Sequence, residues 1–129
     1  EFADNNSANV LIFSYSITFL PVNDPNYDPF PEQIYIHDNS FTGGGTMPDN
    51  LSLTELQASI GTDIPDIVWD GVLAEGRSPQ DALCLSNNGD ANFANLDAAN
   101  GFVSPSVDIT AHQCSLPGLS PVQIYTGAE

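Results

Sequence analysis

Acidic side chains are the most abundant ionisable groups in this chain, and a few of them set the chemistry worth considering. Asp66 and Asp70 lie close together with Asp63 just before them, and Asp38 follows His37. A glycosidase needs two carboxyl groups roughly 5–10 Å apart across a sugar-binding groove. Strand residues two apart lie about 6.5–7 Å apart on one face, so such a spacing is possible among Asp63, Asp66 and Asp70, with Asp38 on a neighbouring rung. The plainer reading is that these are solvated loop acids. A uronate lyase would also need cationic groups to neutralise the substrate carboxylate, and Arg77 stands alone, without a single lysine. No catalytic set is assigned from the sequence, and catalysis is not the leading expectation.

Other ligands are tested the same way. Oxygen donors are plentiful in Asn23–Asp28 and Asn87–Asn92, and calcium is the ion they would suit. Neither stretch matches an EF-hand or the glycine-aspartate nonapeptide, so no metal is assigned. His37 and His112 read as surface or turn residues. Tyr35 and Trp69 could stack on a sugar ring, although packing is the commoner role for such rings. Asn5-Asn-Ser7 and Asn50-Leu-Ser52 fit the N-glycosylation pattern, which matters only in a eukaryotic secretory host.

Cys84 and Cys114 are the only cysteines. They form no C-x-x-C pattern and no histidine follows either one, which excludes a c-type haem attachment or a closed zinc site. A disulfide between them would close a loop of about 30 residues and stabilise the fold by roughly 3–4 kcal/mol in the chain-entropy model. The acidic, Asn-, Ser- and Pro-rich composition reads as exported, where disulfides persist; the alternative is two buried thiols. The expected location is periplasmic or extracellular, in a bacterial and marine or salt-adapted setting.

The 129 residues suit one domain. Seventeen acids face one Arg, for a formal net charge of −16. Nucleic acid is excluded as a partner, because phosphate neutralisation needs clustered Lys and Arg. Anionic membrane surfaces are excluded on the same ground. Such acidity suits salty water, or a basic partner attracted at long range. Hydrophobic residues make up 41% of the chain, which argues against disorder. No apolar run approaches the ~18 residues of a membrane span. The sequence has no initiator Met and no recognisable leader, and reads as a mature product or as part of a longer chain.

These residues need elements to position them. In Ile34-Tyr-Ile-His-Asp-Asn39 two aliphatics alternate and an Asn follows the second by three positions, and Leu83-Cys-Leu-Ser-Asn-Asn88 repeats the pattern. Ile34 and Ile36 would face inward from a short strand, with Asn39 and Asn88 at equivalent turns. Short units that cannot bury their own apolar faces need neighbours stacked on them. The expected fold is therefore all-β: a right-handed parallel β-helix, represented by its C-terminal coils and cap, with long loops and one short helix. Its coils would occupy 1–96, with excursions at 21–33 and 43–65, and a C-terminal cap or tail would occupy 97–129. Asn9–Leu20 reads as a strand covered on both sides. Ser52-Leu-Thr-Glu55 fits a capping box, Leu53, Leu56 and Ile60 recur at helical spacing, and Gly61 supplies a stop. In Ile64–Gly71, either Val68 or Trp69 would face inward.

The start of such a stack would leave an apolar rung open. Val10, Leu11, Ile12 and Phe13 are predicted to contact upstream coils of the same polypeptide or another subunit, since a bare rung is a template for adding strands.

Asn9-Val-Leu-Ile-Phe-Ser-Tyr15, Asn23-Asp-Pro-Asn-Tyr-Asp-Pro29, the Ile34–Gly45 stretch, Asp66-Ile-Val-Trp-Asp-Gly71 and Asn87-Asn-Gly-Asp-Ala-Asn-Phe93 together resemble a bacterial parallel β-helix repeat family. The likeness is to the C-terminal portion of longer, exported members and runs through Pro117. It implies an extracytoplasmic β-helix and supplies no catalytic residues. Members of that family tend to be encoded beside a second exported family that looks like a dihaem c-type cytochrome, which implies a redox partner. The resulting expectation is a non-enzymatic exported β-helix module for binding or assembly. The alternative is a carbohydrate-active enzyme, or a polysaccharide-binding β-helix, whose groove lies largely outside this segment.

Overall fold

Strand-forming runs in this chain are brief and are separated by loops rich in proline and glycine, and the sheets reflect it. The computed structural model describes residues 1–123. The strands are β1 (Phe2–Ala3), β2 (Val10–Ile12), β3 (Ile34–His37), β4 (Phe41–Thr42), β5 (Ile67–Trp69), β6 (Leu83–Ser86) and β7 (Phe93–Asn95). Two helices interrupt them, α1 (Leu51–Ile60) and α2 (Pro79–Ala82). Single 3-10 turns span Tyr15–Thr18, Ala98–Asn100 and Thr110–His112.

The strands pair in parallel into three separate sheets, ordered β1-β4, β2-β5-β7 and β3-β6. Spatial order follows chain order in each, so β1, β2 and β3 are edge strands whose free side faces away from the later strands of their own sheets. This side is termed the early edge. Register in the third sheet pairs Ile34 with Leu83 and Ile36 with Leu85. In the first sheet Phe2 is opposite Phe41, and their rings stack with centroids 4.8 Å apart.

The expected right-handed parallel β-helix is not what forms. Among the described residues the sheets hold two, three and two strands, none is closed or curled, and about 20% of the chain is helical. The physical cause lies in where the strands stop. The strand expected across Asn9–Leu20 ends at Ile12, because the Ser14 N–H turns to the Asp70 carboxyl, 2.7 Å away, and a 3-10 turn follows. Phe19 then takes φ +56°, which ends extended backbone. Helical segments also occupy more of the chain than the one short helix expected.

β5 is the central strand of the largest sheet and is covered on both faces. Ile67 and Trp69 pack with Ile12, Leu83, Leu85 and Phe93 on one side, while Val68 joins Ile64, Ala94 and Leu96 on the other. Val68 and Trp69 are therefore both buried, on opposite faces. α1 lays Leu53 and Leu56 against the second of these clusters. Its N-cap is Asn50, whose Oδ1 accepts from the Leu53 N–H at 2.9 Å, so the helix starts before the expected Ser52–Glu55 box. Gly61 closes it with φ +79°. α2 has Pro79 as its first residue, where a missing N–H costs nothing; the Asp81 carboxylate accepts from the Ser78 N–H and hydroxyl at 2.8 and 2.9 Å. No helix among the described residues is long and apolar enough to cross a membrane.

The chain after residue 97 covers two late edges. Ser106 forms an antiparallel bridge to Asn95, and Gln113 a parallel bridge to Leu85. Cys84 and Cys114 stand at disulfide distance, Cα atoms 5.5 Å apart. His112 is buried against the rings of Trp69 and Phe93. Of the cap expected over 97–129, residues 124–129 lie outside the described residues.

Candidate functional site

β2 is an apolar strand at the edge of the three-stranded sheet. The Val10 N–H donates to the Asp66 carbonyl at 3.0 Å, and the Ile12 carbonyl accepts from the Asp70 N–H at 3.1 Å. Alternation along a parallel ladder then turns the N–H and C=O of Leu11 away from β5, toward the early edge. Its side chain is exposed, while Ile12 is buried and Val10 and Phe13 are half-buried. Of the four residues expected at an assembly face, Leu11 alone is exposed, and the chain's own core covers Ile12. The early edge of β3 likewise has no neighbouring strand among the described residues, and there Tyr35 and His37 stack with ring centroids 4.2 Å apart.

The turns that end these strands are fixed by amide ladders. Asn88 Oδ1 accepts from the Asn39 N–H and Nδ2 at 3.2 and 3.3 Å, and Asn88 Nδ2 donates to the Ile36 carbonyl at 2.8 Å. Asn39 Nδ2 donates to the His37 carbonyl at 2.7 Å. Sequence reasoning placed these two asparagines at turns but missed a second ladder. Asn9 Nδ2 donates to Asp66 Oδ1 at 2.8 Å. Asp66 Oδ2 accepts from the Asn92 N–H at 3.1 Å, and the Asp66 N–H donates to Asn92 Oδ1 at 2.6 Å. The signal was present in the sequence: an Asn or Asp stands immediately before each strand of the three-stranded sheet, at Asn9, Asp66 and Asn92.

The candidate acids are occupied by this scaffold. Asp70 is fully buried, accepting from the Ser14 N–H at 2.7 Å and the Val72 N–H at 3.1 Å. Asp66 and Asp70 flank the two ends of β5; four residues at about 3.3 Å each separate their backbones by roughly 13 Å, more than a glycosidase pair requires. Asp38 follows β3 in a different sheet. It accepts from His37 Nδ1 at 2.7 Å and from Asn87 Nδ2, and these bonds, His37 foremost, hold its carboxyl below the usual range. A groove of about 440 Å³ beside Tyr35 and Arg77 is lined by Gln33, Gln80, Asp81 and Leu116–Leu119, and none of the candidate acids reaches it.

The oxygen-rich stretches likewise make turns. Asp24 and Asp28 cap their own loop, accepting from the Asn26 and Phe30 N–H groups at 2.9 and 3.0 Å. Among the described residues no three His, Cys, Asp or Glu side chains converge as an ion site. Trp69 is core, which removes it from a sugar platform with Tyr35. Arg77 pairs with Glu32 at 3.3 Å.

No family model, no curated protein and no solved structure matches this chain.

Proposed function

We propose that this chain is a non-enzymatic binding or assembly module of an exported protein, joining another polypeptide segment by strand addition at the early edge of β2. One observation carries the reading. The late edges of β6 and β7 are covered by Gln113 and Ser106, whereas Leu11 presents N–H, C=O and an exposed aliphatic side chain with no strand beside them among the described residues. Main-chain bonds to such an edge supply affinity and alternate side chains supply selectivity. The added strand comes either from further residues of the same polypeptide or from a separate subunit. Export is supported by the cysteine pair at disulfide distance, since such pairs persist in oxidising compartments.

The test is selection of displayed random peptides on the folded protein, repeated on Leu11→Pro. Proline removes the outward N–H and is tolerated on a strand edge, and the β2–β5 ladder uses Val10 and Ile12 instead. Recovered binders should be extended β-formers that lose binding to Leu11→Pro and keep most of it with Leu11→Ala. Binders indifferent to Leu11→Pro, or none at all, contradict the reading.

A further inference from the structure

We propose that the strand taken up at this edge is a lysine- or arginine-bearing extended segment of another protein, an inference that rests on the edge-pairing reading above. Residues 1–38 contain β1, β2 and β3, and carry Glu1, Asp4, Asp24, Asp28, Glu32 and Asp38 with no lysine or arginine. All of these except Glu32 are exposed. Glu32 is the acid that the single arginine already engages, Arg77 lying 3.3 Å away.

Local contacts keep part of this charge near the two ends of β2. The Tyr15 N–H donates to the Pro29 carbonyl at 2.9 Å, and the Tyr15 and Tyr27 rings meet edge to face at 5.4 Å. These two contacts hold the loop bearing Asp24 and Asp28 against Tyr15, three residues after the end of β2. Before β2, Asp4 precedes Asn5, whose Nδ2 donates to Asn9 Oδ1 at 2.8 Å. An added strand would lie about 4.8 Å from β2. At physiological ionic strength the screening length is roughly 8 Å, so an added strand feels the acidic surface around β2 more strongly as salt is lowered.

Charge also selects among occupants. A second copy is itself a chain of formal net charge −16, and like charges across an interface suppress association. A basic segment removes that repulsion, and Leu11 calls for an apolar residue near the middle of the segment. The partner motif is an extended apolar centre with basic flanks.

Three synthetic peptides test this, with valine alternating with lysine, threonine or glutamate, measured by fluorescence anisotropy against the whole chain. The lysine peptide should bind most tightly, weaken roughly tenfold or more between about 0.05 and about 0.5 M salt, and be lost on Leu11→Pro. Asp24→Asn with Asp28→Asn keeps both turn acceptors and should weaken the lysine peptide several-fold while leaving the threonine peptide unchanged. Equal binding of lysine and threonine peptides, both lost on Leu11→Pro, would overturn the basic partner and leave edge pairing standing. Lysine-peptide binding that survives Leu11→Pro would overturn both. Self-association abolished by Leu11→Pro would assign the edge to a second copy instead.

Discussion

Asp70 shows how a residue type suited to catalysis can be spent on architecture. Its carboxyl closes the bend after β2 through Ser14 and the bend after β5 through Val72. Asp70→Ala leaves two N–H groups without acceptors, at about 1–3 kcal/mol each, so urea denaturation should show a loss of roughly 3 kcal/mol. Asp70→Asn retains one acceptor and should lose less. His112 gives the matching prediction for pH. Burial against Trp69 and Phe93 lowers its pKa from 6.5, partly opposed by hydrogen bonds to the Leu83 and Pro79 carbonyls. The unfolded chain therefore binds the proton more readily, and stability conferred by the neutral ring is present above pH 6.5 and falls as pH drops through and below it. The Asp38, Asp81 and Asp108 carboxyls are also lowered from 3.8, so their contribution is lost only in more acidic solution. Denaturation midpoints measured from pH 7.5 toward 5.5 should decline in the native chain and lose that part of the slope in His112→Phe. An unchanged slope would remove His112 as its source.

At the scale of elements, helix α1 was legible and its start was not. Leu53, Leu56 and Ile60 mark the packed face and Gly61 the stop, but Asn50 and Ser52 are both good cap residues two positions apart. The structure caps with Asn50, so Asn50→Ala should cost about 1 kcal/mol and Ser52→Ala close to nothing; the reverse order in thermal melts would contradict that cap. The asparagine turns were legible because the aliphatic pairs before them repeat. Asn88→Ala removes three hydrogen bonds and should cost roughly 2–3 kcal/mol. Which face β5 buries was not legible, because alternation tells inside from outside only when one side of a strand meets water. A strand packed on both sides gives no such contrast.

At the scale of the whole molecule, parallel pairing of Ile34–Ile36 with Leu83–Leu85 could be read from the repeat, but closure into a β-helix could not. Side-chain alternation fixes which residues face a core; it does not fix how separate sheets join. The bend at Ser14 and the loops after it break what the repeat alone would continue. The C-terminal segment is joined to β6 through Cys84 and Cys114. Reduction should therefore cost about 3–4 kcal/mol, read as a shift in urea midpoint with and without reductant. The sequence marks Val10–Phe13 as an apolar rung, and only the structure shows that Ile12 is buried and Leu11 exposed. Amide hydrogen exchange at Leu11, alone and with a selected strand peptide, tests the central claim most directly. The account predicts fast exchange at Leu11 in the free protein beside protected amides at Val10 and Ile12, and new protection of Leu11 when the peptide binds. A Leu11 amide already protected in the free protein, or one unchanged by a peptide that binds, would contradict it.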